Sequence, residues 1–172
     1  MGEALHEGLS AIERAIGLNP NSAMALSHAG WVYNYLGKPR QAIEALERSI
    51  RLSPRDPALF RAQTALTYAH VLLGEFDTAV VWGRRAVEGN SNYRVAYRTL
   101  ASALANAGRV VEARAVVTRL SALTPDLSLR TVAEATVFKH SGGLEVRASE
   151  SRHRRTISVI ERVDEPSGIP RI

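Results

Sequence analysis

The stretch GWVYNYLGKPRQAIEALERSIRLSP, residues 30–54, carries four landmark residues at ordered gaps. Gly30 is followed by Gly37 after seven residues, by Ala42 after a further five and by Pro54 after a further twelve. Between these landmarks, apolar residues recur at intervals of three and four, the spacing that places side chains on one face of a helix. The stretch therefore predicts two amphipathic helices separated by a turn at Gly37.

The same gaps recur along the chain. Two further copies keep the gaps of seven, five and twelve residues, with the landmarks Thr67, Gly74, Ala79 and Ser91, and then Ala101, Gly108, Ala113 and Pro125. The back half of another copy, SAIERAIGLNP, occupies residues 10–20. Successive turn glycines are 37 and then 34 residues apart. A period near 34 residues is typical of a helical solenoid, in which each unit packs only against its neighbours.

The pattern resembles the tetratricopeptide repeat (TPR), which has a small residue in its first helix, glycine after it, alanine inside the second helix and proline at the end. The resemblance covers residues 1 to about 125. It departs from the family pattern at Gly8, where alanine is usual, and at Ser91, where proline is usual. It implies an all-α fold, a right-handed α-solenoid of about three and a half helix–turn–helix repeats.

The residues themselves predict helices over 3–18, 22–36, 40–52, 57–73, 76–89, 93–107 and 110–122. Each turn glycine is expected in the left-handed conformation, which only glycine adopts cheaply. Small residues inside the helices should let neighbouring backbones approach closely. Asp56 is expected to cap the fourth helix and Pro57 to be its first residue, so that this helix gains nearly one turn. The residues with these structural roles are Gly30, Gly37, Ala42, Pro54, Gly74, Ala79, Gly108, Ala113 and Pro125.

The sequence changes character after Pro125. DLSLRTVAEATVF, residues 126–138, has apolar residues at helical spacing and predicts a terminal helix that covers the last repeat. Residues 139–172 are rich in Gly, Ser, Arg and Pro and contain no copy of the landmarks. We therefore expect a repeat array over 1–138 and a mobile, disordered tail over 139–172.

Composition and motifs favour binding over catalysis. The chain has no cysteine, which excludes disulfides, thiolate metal sites and cysteine nucleophiles. Its five histidines include no i, i+4 pair, and no Gly-rich phosphate loop or HExxH motif occurs. The apolar runs are far shorter than the roughly 20 residues that span a bilayer, and the N-terminus does not have the pattern of a signal peptide. We expect a soluble, cytoplasmic protein with no enzymatic activity, metal or cofactor.

The resemblance also implies a binding surface, because the first helices of TPR proteins line a concave groove that typically holds an extended or helical peptide. Transferring the groove-facing spacing by register gives Met24, Trp31, Asn34, Tyr35, Arg61, Thr64, Tyr68, Arg98, Ser102 and Asn106. Arginines, amides and aromatics together suit an acidic, partly apolar protein segment. The alternative for Trp31 and Tyr68 is packing between helices as core aromatics.

The resemblance is specific enough to exclude one class of partner. Chaperone-binding TPR proteins carry a lysine and an asparagine at the places that Ser27 and Trp31 hold here. We therefore expect the groove to act as an interaction scaffold for a protein or peptide other than a chaperone's C-terminal carboxylate.

Two other functions stay open. The stretches IERAIGLNPNSAMALSHAGWVYNYLG and SIRLSPRDPALFRA are similar to the C-terminal repeat arrays of bacterial signalling proteins with a class III nucleotide cyclase domain. By that resemblance the chain would be the regulatory half, or a fragment, of a cyclase-type protein. The second function depends on RASESRHRR, residues 147–155, whose four arginines could contact a nucleic acid. Nucleic acid is the less favoured partner, because the positive charge elsewhere is diffuse.

Overall fold

A computed structural model describes residues 2–123 of the 172-residue chain, and side chains from residue 6 onward. This part of the chain contains seven α-helices and no strand: α1 (Gly2–Leu18), α2 (Ala23–Tyr35), α3 (Pro39–Leu52), α4 (Leu59–Leu73), α5 (Phe76–Gly89), α6 (Arg94–Asn106) and α7 (Val110–Ala122). All seven predicted helices are confirmed, with ends that differ by at most two residues. The fold is an all-α solenoid.

Each helix packs against the next along the chain, and short turns make successive helices antiparallel. The pairs α2–α3, α4–α5 and α6–α7 are the first and second helices of the three full repeats, and α1 is the second helix of the partial copy. The first helices α2, α4 and α6 also contact one another in series. Because they lie side by side, they form a continuous surface, which we call the inner wall.

The core is a series of small clusters rather than one centre. In the first cluster, Leu46 of α3 and Leu66 of α4 pack among alanines, with Trp31 of α2 against them. In the second cluster, Leu100 and Leu104 of α6 pack against α5 and α7. Both of these clusters join helices from consecutive repeats, as a solenoid requires, because a single repeat cannot bury its apolar face alone.

The predicted glycine turns are confirmed. Gly37, Gly74 and Gly108 have φ angles of 68°, 78° and 78°, in the left-handed region that favours glycine. At the first turn, the Lys38 amide donates a hydrogen bond to the Tyr33 carbonyl over 2.8 Å, and the Gly37 amide donates to the Asn34 carbonyl over 3.1 Å. The same pair of bonds closes the other two turns, so all three first helices end in the same glycine cap.

The predicted close approaches are confirmed as well. A Cβ atom at Gly30 would lie 2.3 Å from Leu46 Cγ, a distance that no side chain tolerates, so glycine lets α2 and α3 pack at this contact. Ala42, Ala79 and Ala113 are 0–1% exposed. Any larger side chain at these three positions would push apart the helices that pack there.

The start of α4 differs from the prediction. α4 begins at Leu59, two residues after the predicted first residue, Pro57. The side chain of Asp56 accepts a hydrogen bond from the Ala58 amide, with 2.7 Å between Oδ1 and N. Because this bond reaches only two residues ahead, Asp56 closes a turn before the helix and does not cap the helix itself.

The additional residues of the longer copy therefore lie mainly in a turn. Residues 53–58 connect α3 to α4, whereas the shorter segment 90–93 connects α5 to α6. The α4 helix has 15 residues, against 13 for α2 and α6. The prediction of nearly one additional turn of helix is therefore wrong, because α4 gains only two residues.

Several predictions lie outside the described residues: Pro125, the terminal helix over 126–138, the boundary at 138, the tail over 139–172 and the arginine cluster over 147–155. Among residues 2–123, no helix is long and apolar enough to cross a membrane.

Candidate functional site

The inner wall has an unusual charge composition. The first helices α2, α4 and α6 contain three arginines, Arg61, Arg94 and Arg98, and no aspartate or glutamate. The second helices α3, α5 and α7 carry residues of both signs. Within residues 2–123, carboxylates are confined to the other helices and the turns, so the described part of the inner wall presents positive charge alone.

Aromatic side chains lie near two of these arginines. The aromatic–arginine cluster consists of Trp31, Tyr35, Phe60, Arg61, Tyr68, Tyr93 and Arg98. The rings of Trp31 and Tyr35 stack within α2, with 5.9 Å between centroids and 27° between planes. Residues 31 and 35 are one helical turn apart, which brings their side chains together on one face.

A second contact joins the start of α4 to the start of α6. The Phe60 and Tyr93 rings meet edge to face, with 4.9 Å between centroids and 64° between planes. The guanidinium carbon of Arg61 lies 5.8 Å from the centroid of the Phe60 ring. Such a cation–π contact orients the arginine without neutralising it.

The tyrosines of the cluster have raised pKa values. For Tyr35, Tyr68 and Tyr93, burial is the largest cause, because it disfavours the charged phenolate. The positive charge of Arg98 opposes this effect at Tyr35 and Tyr93, and that of Arg61 opposes it at Tyr93. The three phenols are therefore neutral at physiological pH.

Most of the predicted groove residues are accessible on the inner wall. Met24 is 70% exposed and Tyr35 is 44% exposed. Arg61 is exposed, and Arg98 is half-buried. The last two predicted residues, Ser102 and Asn106, are also half-buried.

The sequence left open whether Trp31 and Tyr68 line the groove or pack between helices, and the structure shows elements of both. Trp31 is half-buried and packs against the Leu46 cluster of the core while it stacks on Tyr35. Tyr68 is only 8% exposed, so most of its ring packs between helices. Trp31 therefore exposes part of its ring on the inner wall. Tyr68 packs mostly beneath the wall surface, between the helices.

Besides Tyr68, two predicted groove residues are buried, and these two do not line the wall. Asn34 is 0% exposed, and its Nδ2 donates a hydrogen bond to the carbonyl of Ala65 over 2.8 Å. Thr64 is also 0% exposed, and its hydroxyl donates to the carbonyl of Phe60 over 2.7 Å. Both belong to the packing of α2 and α4, because a fully buried side chain cannot contact a ligand. Their assignment to the groove is corrected accordingly.

The groove-facing spacing transferred from the TPR family did not include two members of the cluster, Phe60 and Tyr93. Tyr93 is the N-cap of α6 but makes no side-chain cap bond there. The equivalent position before α2 is Ser22, whose hydroxyl accepts a hydrogen bond from the Ala25 amide. A large aromatic at a position that favours a small capping residue is the signal that could have identified Tyr93.

A second concavity lies between the second helices α5 and α7. It is an open pocket of about 340 Å³, lined by Arg84, Val87, Leu100, Leu104, Glu112 and Val116 among others. Glu112 at its rim pairs with both Arg84 and Arg109. Because Arg84 and Glu112 pair with each other, this pocket offers no free cation to an acidic partner, unlike the inner wall.

His28 and His70 have local partners. His28 is exposed, and its Nδ1 lies 2.8 Å from the Met24 carbonyl oxygen. His70 is buried, with 2.6 Å between its Nδ1 and Oε2 of Glu75. No group of three His, Asp or Glu residues that could hold a metal occurs in the described part of the chain.

Comparison with known proteins gives a fold. No family model matches the sequence, and no curated protein matches it significantly. Among solved structures, the crystal structure of MamA is 19% identical with a TM-score of 0.64, over 92% of this chain and 86% of that one. The described helices have a TPR fold.

Two further TPR-like structures support this conclusion. YrrB, described as a TPR protein with an unusual peptide-binding site, is 21% identical with a TM-score of 0.59, over 94% of this chain and 77% of that one. A structure described as MamA 41-end from Desulfovibrio magneticus RS-1 is 15% identical with a TM-score of 0.64. The match covers 94% of this chain and 88% of that one. At these identities the shared feature is the fold, so the similarity to cyclase-associated arrays stays a prediction.

Proposed function

We propose that the chain is a protein-interaction module that binds an acidic, partly apolar segment of a partner protein along the inner wall. The observation that carries the proposal is the aromatic–arginine cluster on first helices that contain no carboxylate. Aromatic side chains and arginine supply most of the binding energy in protein interfaces. The fold that this chain shares with YrrB, a TPR protein with a peptide-binding site, supports the same role.

The contacts of the wall suit binding. Guanidinium and phenol groups donate hydrogen bonds to oxyanions, and the exposed Met24 and Tyr35 offer apolar area to a neighbouring side chain. None of the cluster side chains is a carboxylate or an imidazole that could act as a general base. The cyclase and nucleic-acid alternatives have no observation in residues 2–123 that favours them.

Selection of displayed random peptides on the immobilised full chain tests the proposal. Selected peptides are expected to be enriched in Asp and Glu and to contain at least one large apolar residue. The double variant Tyr35→Ala/Arg98→Ala should weaken their binding by about 1.5–3 kcal/mol, roughly ten- to a hundredfold in Kd. Isothermal titration or fluorescence anisotropy measures that loss.

A matched control variant separates the wall from the rest of the surface. Leu52→Ala/Arg114→Ala removes an apolar side chain of similar exposure, 41% against 44% for Tyr35, and the same charge, but from second helices. The control should retain the affinity of the wild type. Selection of no peptide, or equal losses in the two double variants, would contradict the proposal that the inner wall is the binding surface.

A further inference from the structure

We infer that Phe138 occupies the open pocket between α5 and α7, so that residues 126–138 dock on the solvent-facing side of this chain's own second helices. We call that side the outer face. The inference is independent of the proposed function, because the inner wall belongs to the first helices and the pocket opens between two second helices.

The pocket lies where a large side chain packs one repeat earlier. Between α3 and α5, Trp82 and Ile50 pack against the core cluster that contains Leu66. The equivalent positions, 34 residues after Trp82 and 37 after Ile50, hold Val116 and Val87. Both valines are smaller, and they line the open pocket of about 340 Å³. Since protein interiors are closely packed, such an apolar space favours a large apolar side chain from another segment.

The residues around the pocket indicate which chemistry fits it. One repeat earlier, the guanidinium carbon of Arg85 lies 4.9 Å from the centroid of the Trp82 ring, so the large side chain has a basic neighbour. Glu88 lines the pocket, is exposed and has no ion-pair partner in the described part of the chain. Phe138 is the only Phe, Tyr or Trp after α7, and Lys139 follows it. An aromatic side chain with a base beside it suits this apolar pocket with an anion at its rim.

The outer face of α7 is uncharged and continuous with the pocket. Its exposed residues at helical spacing form a stripe, which we call the outer stripe: Val111, Ala115, Thr118 and Ala122. Ala115 also lines the pocket. The equivalent residues of α3 are all charged: Arg40, Glu44, Glu47 and Arg51. An uncharged stripe where another second helix is charged indicates a surface that a further segment covers.

The face of α7 toward a following first helix is polar instead. Val80 of α5 packs in the cluster of the α6 leucines, and Ile43 of α3 packs against the cluster that contains Leu66 of α4. Arg114 has the equivalent position in α7 and is exposed. Because burial of an unpaired charge is costly, the segment after α7 is expected on the outer stripe and not in the place of a further first helix.

The length of the segment brings Phe138 to the pocket. Residues 123–125 connect α7 to the helix that the sequence predicts over 126–138, and so short a connection makes the two helices antiparallel. Each has 13 residues and a length of about 20 Å. A helix that runs back along α7 for this distance ends beside the first turn of α7, where Glu112 lines the pocket.

Cysteine cross-linking of the full chain tests the docked position, since the native sequence has no cysteine. The double variant Val81→Cys/His140→Cys keeps Phe138, Lys139 and Glu88, and a short bismaleimide joins the two thiols. Mass spectrometry of tryptic peptides should show an intramolecular yield at least about fivefold above that of Glu44→Cys/His140→Cys, because Phe138 holds residue 140 near α5. Glu44 is exposed and has the position in α3 equivalent to Val81, so this pair is the matched control.

Two substitutions in the Val81→Cys/His140→Cys background test the pocket itself. Phe138→Ala should lower the yield at least about fivefold, whereas Phe138→Leu, which keeps a large apolar side chain, should retain at least about half of it. Val116→Trp fills the pocket from within, as Trp82 does one repeat earlier, and should lower the yield as much as Phe138→Ala does. Circular dichroism melting checks that each variant is folded, and Phe138→Ala decides alone if Val116→Trp is not.

Equal yields in the Val81 and Glu44 pairs would overturn the inference, as would a yield that Phe138→Ala leaves unchanged. Cross-links that form only between two molecules would also overturn it, because they would assign the pocket to a segment of a second copy.

Discussion

At the scale of single residues, register predicts which helix a side chain belongs to more reliably than the direction in which it points. Asn34 and Tyr35 are adjacent and were both assigned to the groove, yet Asn34 is fully buried and Tyr35 is 44% exposed. Adjacent residues of a helix differ by about 100° around its axis, so one of them can face the neighbouring repeat while the other faces solvent. The difference depends on how closely α2 and α4 pack, which a single sequence does not contain.

The buried phenol of Tyr68 leads to a prediction about alkaline pH. Its pKa is raised, mainly by burial, so its neutral form is favoured in the folded chain over the unfolded one. That contribution is present below the unfolded pKa of about 10 and is lost as the pH rises through the higher folded value. The free energy of unfolding should therefore fall above about pH 10, with a slope of up to about 1.4 kcal/mol per pH unit for this group.

Urea unfolding at a series of pH values measures that slope. The variant Tyr68→Phe lacks the titrating hydroxyl and should show a shallower fall, although Tyr33, Tyr35 and Tyr93 also have raised pKa values and keep part of it. An equal slope in the variant and the wild type would show that Tyr68 titrates normally.

At the scale of helices, the sequence predicted all seven helices because local signals mark where they begin and end. Glycine caps end α2, α4 and α6, and apolar spacing defines the faces of the helices between them. The one notable error is the start of α4. Asp56 is a common capping residue, but its side chain bonds to the Ala58 amide and makes a turn, and the choice between these two uses depends on the path of the chain.

Gly108 and Gly17 allow a test of the glycine caps in which the same substitution has opposite effects. Gly108 has φ +78° and open space around its would-be Cβ, so Gly108→Ala costs only backbone strain, about 1–2 kcal/mol. Gly17 is the last-but-one residue of α1 with open space as well, so Gly17→Ala should stabilise by at most about 0.5–1 kcal/mol, the value for a helix interior. Chemical denaturation of both variants measures the two signs, and destabilisation of equal size at the two positions would contradict the cap.

A larger side chain at Ala79 tests the close contact that this alanine makes between helices. Ala79 is fully buried on α5, and Ala79→Leu should destabilise the fold by about 1–3 kcal/mol, because the added methyl groups force the helices apart. Thr78→Leu is the matched control on the exposed face of the same helix, with an expected change within about 0.5 kcal/mol. A melting temperature of Ala79→Leu equal to that of the control would show that the contact tolerates larger side chains.

At the scale of the whole molecule, the repeat period predicted a solenoid but not which side chains meet across it. Phe60 and Tyr93 come from different repeats and occupy unequal register positions, so no comparison of aligned copies pairs them. Their contact arises because the first helices α4 and α6 pack side by side. The cluster is therefore a property of the array. The sequence predicted its members Trp31, Tyr35, Arg61, Tyr68 and Arg98 but not Phe60 and Tyr93.

The uniform sign of charge on the inner wall predicts how binding depends on salt. Exposed charges interact over about 10 Å at 0.1 M salt and less at higher salt, so the association of an acidic peptide should slow as NaCl rises from about 50 mM to about 500 mM.

Arg94 and Arg98 share one face of α6, four residues apart, but only Arg98 belongs to the cluster. Arg94→Gln should therefore lower the association rate constant about two- to threefold and leave dissociation unchanged, whereas Arg98→Gln should speed dissociation as well. Stopped-flow fluorescence of Trp31, in a chain whose second tryptophan is replaced by Trp82→Phe, measures both rate constants. If the two arginine variants change the same rate constant by the same amount, Arg98 contributes long-range attraction alone and does not contact the ligand.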